Sequence, residues 1–488
     1  MASGARIVVA WASLAGLVPG CVPSLQHNQA RDPRLDLPGR FSPPAGLASS
    51  HEPVGPSNLA RATYTEFFAD PALRALIQEA MDHNQDLNIG LQDIILARTE
   101  AGRSRGAVLP QVDAKAGVGL EKVGRYTSQG VSDEAHRVAG NLGDLGFGLV
   151  ASWEVDIWRR LRDARDAADV RYLASIESRN FMVTQVIAEV ARAYYDMVAT
   201  DRQLELLRGN LDLQASALAM ISLEKQAARV TELAVQRFEA EVFRNRSRLY
   251  ALKQERVQAE NRINFLLGRV ARPLAAATDS LGAHLPDLPQ AGLPFDLLAN
   301  RPDVRQAELT MAASKLDVSA ARAAFYPALR VGAGAGFRAF NPKHLLLTPA
   351  SLVYDITGNL VAPLLNRAAI IADYQGANAR QIEAVLGYEK AVLQAFTEVA
   401  NQLAMLDNLR QFYELKAAQV ATLQRAVDAS TMLFQSARAD YMEVLLTRRD
   451  YLDAHMELVE GQKQRYQALV GLYQALGGGW RPAESARR

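Results

Sequence analysis

The chain has 488 residues, 49% of them apolar, which is enough for a sizeable core and excludes a disordered tail. Its 54 basic and 53 acidic side chains leave a net charge of +1 with no long basic block, so composition offers nothing to a nucleic-acid partner. A single cysteine, Cys21, excludes an intramolecular disulfide.

The chain opens with Arg6 and an apolar run from Ile7 to Leu17, with small Gly20 directly before Cys21. Residues 1–20 therefore read as a secretory signal, too short for a membrane helix of roughly 20 apolar residues. Val18-Pro19-Gly20-Cys21 resembles a bacterial lipoprotein processing site, departing from it at Val18 and Pro19. That resemblance implies acylation (palmitate) of Cys21 and sorting to the outer membrane, with an incidental cysteine as the alternative. Residues 21–60 hold seven prolines and little periodicity, which predicts an extended leader; the resemblance at Cys21 implies that this leader is lipid-anchored.

Four segments then alternate apolar and polar residues with period two, the mark of strands with unlike faces. They are expected at about 108–122 and 144–158, and again at about 326–340 and 351–364. Leu149 and Trp153 share an apolar face, as do Val331 and Phe337; Asp113, Glu154, Arg330 and Arg338 fall on the opposite, polar face. Each strand is long enough to cross a bilayer, for which about 9 to 11 tilted residues suffice. Long helical hairpins are expected over 159–271 and 365–476, because Ala, Leu, Glu, Gln and Arg dominate and proline is absent. Val183, Ile187, Val190, Tyr194, Met197 and Leu204 recur as in a coiled-coil seam, and the folds back are expected at 227–231 and 436–440.

The halves 61–271 and 303–480, joined by a proline-rich linker at 272–302 and followed by a tail at 481–488, read as a duplication. At an offset of 217, Arg105-Gly106-Ala107-Val108-Leu109-Pro110 falls on Arg322-Ala323-Ala324-Phe325-Tyr326-Pro327; at 209, Leu267-Gly268 falls on Leu476-Gly477. Four strands close no barrel of useful size, and an open sheet edge in lipid leaves backbone groups unpaired at several kcal/mol each. A membrane-spanning sheet must therefore be completed by other copies of the chain.

Leu293-Pro294, Leu297-Leu298, Arg301-Pro302-Asp303-Val304 and Ala307-Glu308 together resemble a segment of the TolC-like outer-membrane efflux proteins. So do Ser152-Trp153-Glu154-Val155-Asp156-Ile157-Trp158, Ala324-Phe325-Tyr326-Pro327, Ala395-Phe396-Thr397-Glu398-Val399 and the closing Leu472-Tyr473-Gln474-Ala475-Leu476-Gly477-Gly478-Gly479-Trp480. The resemblance implies an α+β membrane protein: a homotrimer with a 12-stranded barrel in the outer membrane and a helical periplasmic coiled-coil tunnel. It also implies a periplasmic adaptor meeting the helix tips, an inner-membrane pump of the resistance-nodulation-division type, no cofactor and no enzymatic activity. On that implication the adaptor-facing tips are Ala228, Arg229, Val230, Ala437, Arg438 and Asp440, and Met442 and Leu446 form the pore constriction.

The chain departs from the family where the tip turns usually carry glycine, here Ala228 and Ala437, and where an aspartate often narrows the entrance, here Leu446. Two readings of Met442 and Leu446 stand: an apolar constriction that gates by dewetting, or coiled-coil core. Arg229 and Arg438 likewise read as adaptor contacts or as solvated turns. The seven histidines show no metal-ligand spacing, Gly332-Ala333-Gly334-Ala335-Gly336 lies inside an alternating strand, and Glu239 and Glu241 read as a solvated face. A type I protein-secretion duct and a periplasmic coiled-coil scaffold remain as alternatives.

Overall fold

The computed structural model describes residues 22–25, 30–34, 62–275, 300–363, 367–436, 438 and 440–481. The signal segment 1–20, Cys21, most of the leader and of the linker, Leu364, Ala437 and residues 482–488 lie outside the described residues. Elements run in the order α1 (Tyr64–Phe67), α2 (Pro71–His83), α3 (Gln85–Ala107), β1 (Gln111–Glu121), α4 (Ser128–Ala135), β2 (Leu142–Val155), α5 (Arg160–Gln226) and α6 (Glu232–Leu266). After the linker come α7 (Pro302–Ala323), β3 (Ala328–Ala339), a short 3-10 turn, β4 (Leu352–Val361), α8 (Ala368–Gln435) and α9 (Tyr441–Ala475).

The strands are trimmed relative to the sequence expectation by identifiable chemistry. Pro110 and Pro327 precede β1 and β3, and a residue without an N–H cannot continue a ladder. β2 ends at Val155 rather than 158 because the Asp156 carboxylate accepts the amides of Leu161 and Arg162, at 3.1 and 2.8 Å, and so starts α5. Two helices the pattern did not single out, α3 and α7, lead into β1 and β3.

The chain divides into two compact units. One, with Ile94–Ala174 and Ala307–Tyr388, holds the sheet and the helix segments flanking it. Its four strands lie in the order β1-β2-β3-β4, every neighbour antiparallel. The two hairpins are thus joined by β2 against β3, a pairing between strands far apart in sequence.

The other unit, with Arg34–Asp93, Ser175–Gln306 and Glu389–Arg488, is helical. In it the seam residues of α5, Val183, Ile187, Val190, Tyr194, Met197 and Leu204, are all nearly inaccessible to water. Removing such side chains from water contributes about 1.5–3 kcal/mol each, which holds a helix that charged surface positions alone would not. Among the described residues, no helix is long and apolar enough to cross a membrane.

The duplication extends to side-chain detail. At the offset of 209, α6 falls on α9, each 35 residues long. Asn84 Nδ2 donates to the Leu266 carbonyl and Arg301 Nη1 to the Ala475 carbonyl, both at 2.8 Å, and these are equivalent positions of the two halves. Gly268 and Gly477 both have positive φ, +66° and +80°, and a Cβ on either would collide with the carbonyl of His83 or Asn300.

Candidate functional site

Because directly opposite residues in an antiparallel pair point to the same side, the registers fix both faces of the sheet. One face carries Ala114, Leu149, Ala335 and Tyr354 in a single row, and Ala116, Phe147, Phe337 and Leu352 in the next. Phe147 and Phe337 stack at 5.5 Å. This face is apolar throughout yet left uncovered by the described residues: Val118, Tyr354 and Ile356 are each at least 80% exposed. An uncovered apolar face of this extent marks a surface meant for lipid or a partner.

The opposite face is polar and glycine-rich. Asp113, Val150, Gly334 and Asp355 form one of its rows, and Gln111, Ser152, Gly332 and Thr357 another. Of the polar residues singled out in the sequence, Glu154 and Arg330 are register partners with an N to O distance of 3.6 Å, and Arg160 also reaches Glu154 at 2.5 Å. Arg338 makes a bidentate pair with Asp144 at 2.6 and 2.7 Å. Asp113 stands apart from these pairs, in the row of Asp355. The alternation of the fourth segment sets Asp355 on the polar face with Thr357 and Asn359, where the register puts it; sequence reasoning missed Asp144 and Arg160, and the parity of β2 carried the signal for Asp144.

At the foot of the sheet the Trp158 indole donates to the Pro327 carbonyl at 2.9 Å and stacks on Tyr326 at 4.8 Å. Trp153 donates to the Val108 carbonyl at 3.0 Å. Aromatic rings with a polar handle are of the kind that suits a boundary between lipid and water, and these lie where the sheet meets its helices.

The helix tips lie in the helical unit. Ala228 has φ +58°; its amide donates to the Lys225 carbonyl, and the Arg229 amide to the Glu224 carbonyl at 2.9 Å. This is the Schellman ending, with alanine where glycine is favoured. Arg438 repeats the second bond by donating to the Leu433 carbonyl at 2.9 Å. Arg229 and Arg438 are exposed, Val230 packs at the edge of the core beneath, and Asp440 caps α9 by accepting the Met442 amide. A left-handed alanine costs roughly 1–2 kcal/mol, part of which glycine loses in backbone entropy. Ala228→Gly is therefore expected to stabilise this turn by about 0.5–1 kcal/mol, read as slower amide exchange across residues 227–231; faster exchange would contradict the geometry.

Beneath the tips, Ile221, Val235, Phe238, Val242, Tyr441 and Leu445 form a closed apolar cluster, with the Tyr441 ring against Phe238 at 5.2 Å and Phe434 at 4.7 Å. Met442 packs on the edge of that cluster. Leu446 lies outside it, 43% exposed, which leaves it available to a lumen or to a neighbouring copy. Asp453 of α9 takes Arg248 and Arg244 of α6, at 2.7 and 3.7 Å. Among the described residues no group of His, Cys, Asp or Glu is arranged to hold a metal ion.

Comparison with known proteins adds to this geometry. The family model described as outer membrane efflux protein matches residues 76–269 and 293–478. The pyoverdine export outer membrane protein OpmQ of Pseudomonas aeruginosa is 30% identical over 413 residues, covering 85% of this chain and 86% of its own. The cation efflux system protein CusC of Escherichia coli is 27% identical over 95% of this chain and 98% of its own. Among solved structures, the open state of the Neisseria gonorrhoeae MtrE outer membrane channel superposes with a TM-score of 0.81 at 24% identity, covering 93% of this chain and 98% of that one.

Proposed function

From the premise that this chain belongs to the outer membrane efflux protein family, whose fold is that of channel proteins, we propose that it is the outer-membrane duct of a tripartite export system. It works as a homotrimer that passively conducts small molecules delivered by an inner-membrane pump of the resistance-nodulation-division type through a periplasmic adaptor. The observation that carries this reading is the sheet: among the described residues one face is apolar and uncovered, the other is polar, both outer edges are unpaired, and the rest is mostly long helices. Such a sheet is stable in lipid only when copies pair edge to edge, and closure turns its polar face into the wall of a pore.

Leu149, Trp153, Val331 and Phe337 then face lipid, and Asp113, Glu154, Arg330 and Arg338 face the lumen. The exposed Arg229 and Arg438, with Ala228, Val230, Ala437 and Asp440 around them, offer the adaptor two similar helix ends. Cys21, once acylated, anchors the leader to the membrane. Relatives named for the export of pyoverdine, cations and solvents span unlike cargoes on one architecture, so the cargo is chosen upstream by the pump.

Met442 and Leu446 form the periplasmic constriction in this account, with Leu446 contributing an apolar ring. Leu446→Asp in the purified channel in planar bilayers should raise cation over anion selectivity, because a carboxylate ring attracts cations where a leucine ring excludes water. Unchanged selectivity in a folded oligomer would remove Leu446 from the constriction. Absence of discrete conductance steps from the folded wild-type oligomer would overturn the channel itself.

A further inference from the structure

Where β2 and β3 meet the start of α5 and the end of α7, the chain encloses a cavity of about 310 Å³ to which passive conduction assigns no role. Sites for small molecules run from roughly 300 to 1,000 Å³ and combine an apolar or aromatic lining with a few placed polar groups. This cavity has both.

Its charged lining is Glu154, Asp156, Arg160 and Arg330. Asp156 is already taken, by Arg162 Nε at 3.2 Å and by the two amides that start α5. Arg160 gives Nε and Nη2 to one oxygen of Glu154, at 3.1 and 2.5 Å. The other oxygen is left to Arg330, whose Nε stays 3.6 Å away, beyond hydrogen-bond reach. The Arg330 guanidinium makes no hydrogen bond among the described residues, and its side chain is 66% exposed. Two guanidiniums thus share one carboxylate, which leaves an excess of one positive charge and the donors of Arg330 unused.

The remaining lining is aromatic and apolar. Trp158 stacks on Tyr326 at 4.8 Å with 26° between the rings, and its indole N–H is spent on the Pro327 carbonyl. Trp158 is 45% exposed, so it offers ring surface to the cavity rather than a donor. Ile157, Val361 and Pro363 also line it.

The geometry points to a binding site for a small aromatic monoanion, a ring bearing one carboxylate, with the carboxylate on Arg330 and the ring against Trp158. The inference rests on the channel reading only in placing the cavity beside the lumen. A carboxylate is planar and matches the guanidinium fork with two parallel hydrogen bonds. A single negative charge cancels the excess, and a flat ring gains from an aromatic wall what a bare anion cannot. The charged lining comes from the central strands β2 and β3 and from α5, not from the outer strands at which copies would meet.

Calorimetric titration of the full-length purified oligomer tests the site, with benzoate as the probe. Benzamide keeps the ring without the charge and acetate the charge without the ring, so each should bind at least tenfold more weakly than benzoate. Arg330→Gln, at an exposed position that tolerates substitution, should weaken benzoate about tenfold, the loss of hydrogen bonds to a charged group, and Arg330→Lys should recover part of it. Glu154→Gln should tighten benzoate several-fold, because it frees Arg160 and raises the excess charge. Equal binding of benzoate and acetate, benzoate binding undiminished in Arg330→Gln, or a preference for inorganic phosphate would overturn the site. Bilayer conductance of the same preparations separates the two readings: a conducting oligomer that binds no benzoate removes the site alone, and an oligomer that binds benzoate but never conducts removes the channel alone.

Discussion

Leu149→Arg is expected to destabilise the membrane-inserted protein by about 2–4 kcal/mol, the cost of an arginine on the lipid face near the bilayer midplane, whereas Val150→Arg, one residue along, should cost little. The two positions are adjacent in β2 and point to opposite sides. Leu149 lies in the row of Ala114, Ala335 and Tyr354, which offers an arginine no partner. Val150 lies in the row of Asp113, Gly334 and Asp355, where an arginine would stand between two carboxylates and above a glycine. Midpoints of urea unfolding from lipid vesicles, scored by the heat-modified gel band, separate the two variants. Equal losses would mean that the faces are not lipid and lumen.

Arg301→Ala is expected to cost about 2–4 kcal/mol in the helical unit, somewhat below the 3–5 kcal/mol of a fully buried pair because its carboxylates keep some water. Arg301 is 3% exposed and is gripped from three directions. Asp303 takes Nε and Nη2 at 3.0 and 2.6 Å, Glu398 takes Nη1 at 2.7 Å, and the Ala475 carbonyl accepts from Nη1 at 2.8 Å. Burial works against its charge, yet Asp303 and Glu398 outweigh burial and hold the guanidinium above its ordinary pKa. The same corner anchors the end of the chain, since the Trp480 indole donates to the Asn300 carbonyl at 3.1 Å. Arg301→Lys should recover only part of the loss, because an ammonium cannot reproduce the two-pronged fork. Thermal unfolding of the purified oligomer measures both variants; a change below 1 kcal/mol for Arg301→Ala would show that the network contributes nothing net.

How much of this was legible in the sequence follows from the range of each interaction. Period-two alternation is a local signal, and it placed all four strands and assigned Asp113 and Glu154 to the face on which the registers put them. The folds back expected at 227–231 and 436–440 coincide with the gaps between α5 and α6 and between α8 and α9. The helices α3 and α7 escaped notice because Gly90, Gly102 and Gly106 dilute the first and the apolar stripe of the second is thin. The β2 to β3 pairing is non-local, and no spacing along the chain encodes it. Arg301 drew attention only as part of a motif. Its role depends on Glu398 and Ala475, far away in sequence, although its equivalence to Asn84 at the offset of 217 was already present in the residues.

The central claim, that the polar face of the sheet lines a conducting pore while the apolar face meets lipid, is tested most directly by single cysteines and a bulky water-soluble thiol reagent on channels in planar bilayers. In a Cys21→Ser background, cysteines at Ser152, Gly334 and Thr357 should each lower conductance on modification, and cysteines at Leu149, Ala333 and Ile356 should be inert. Block from the second set, or equal effects from both, would contradict the account.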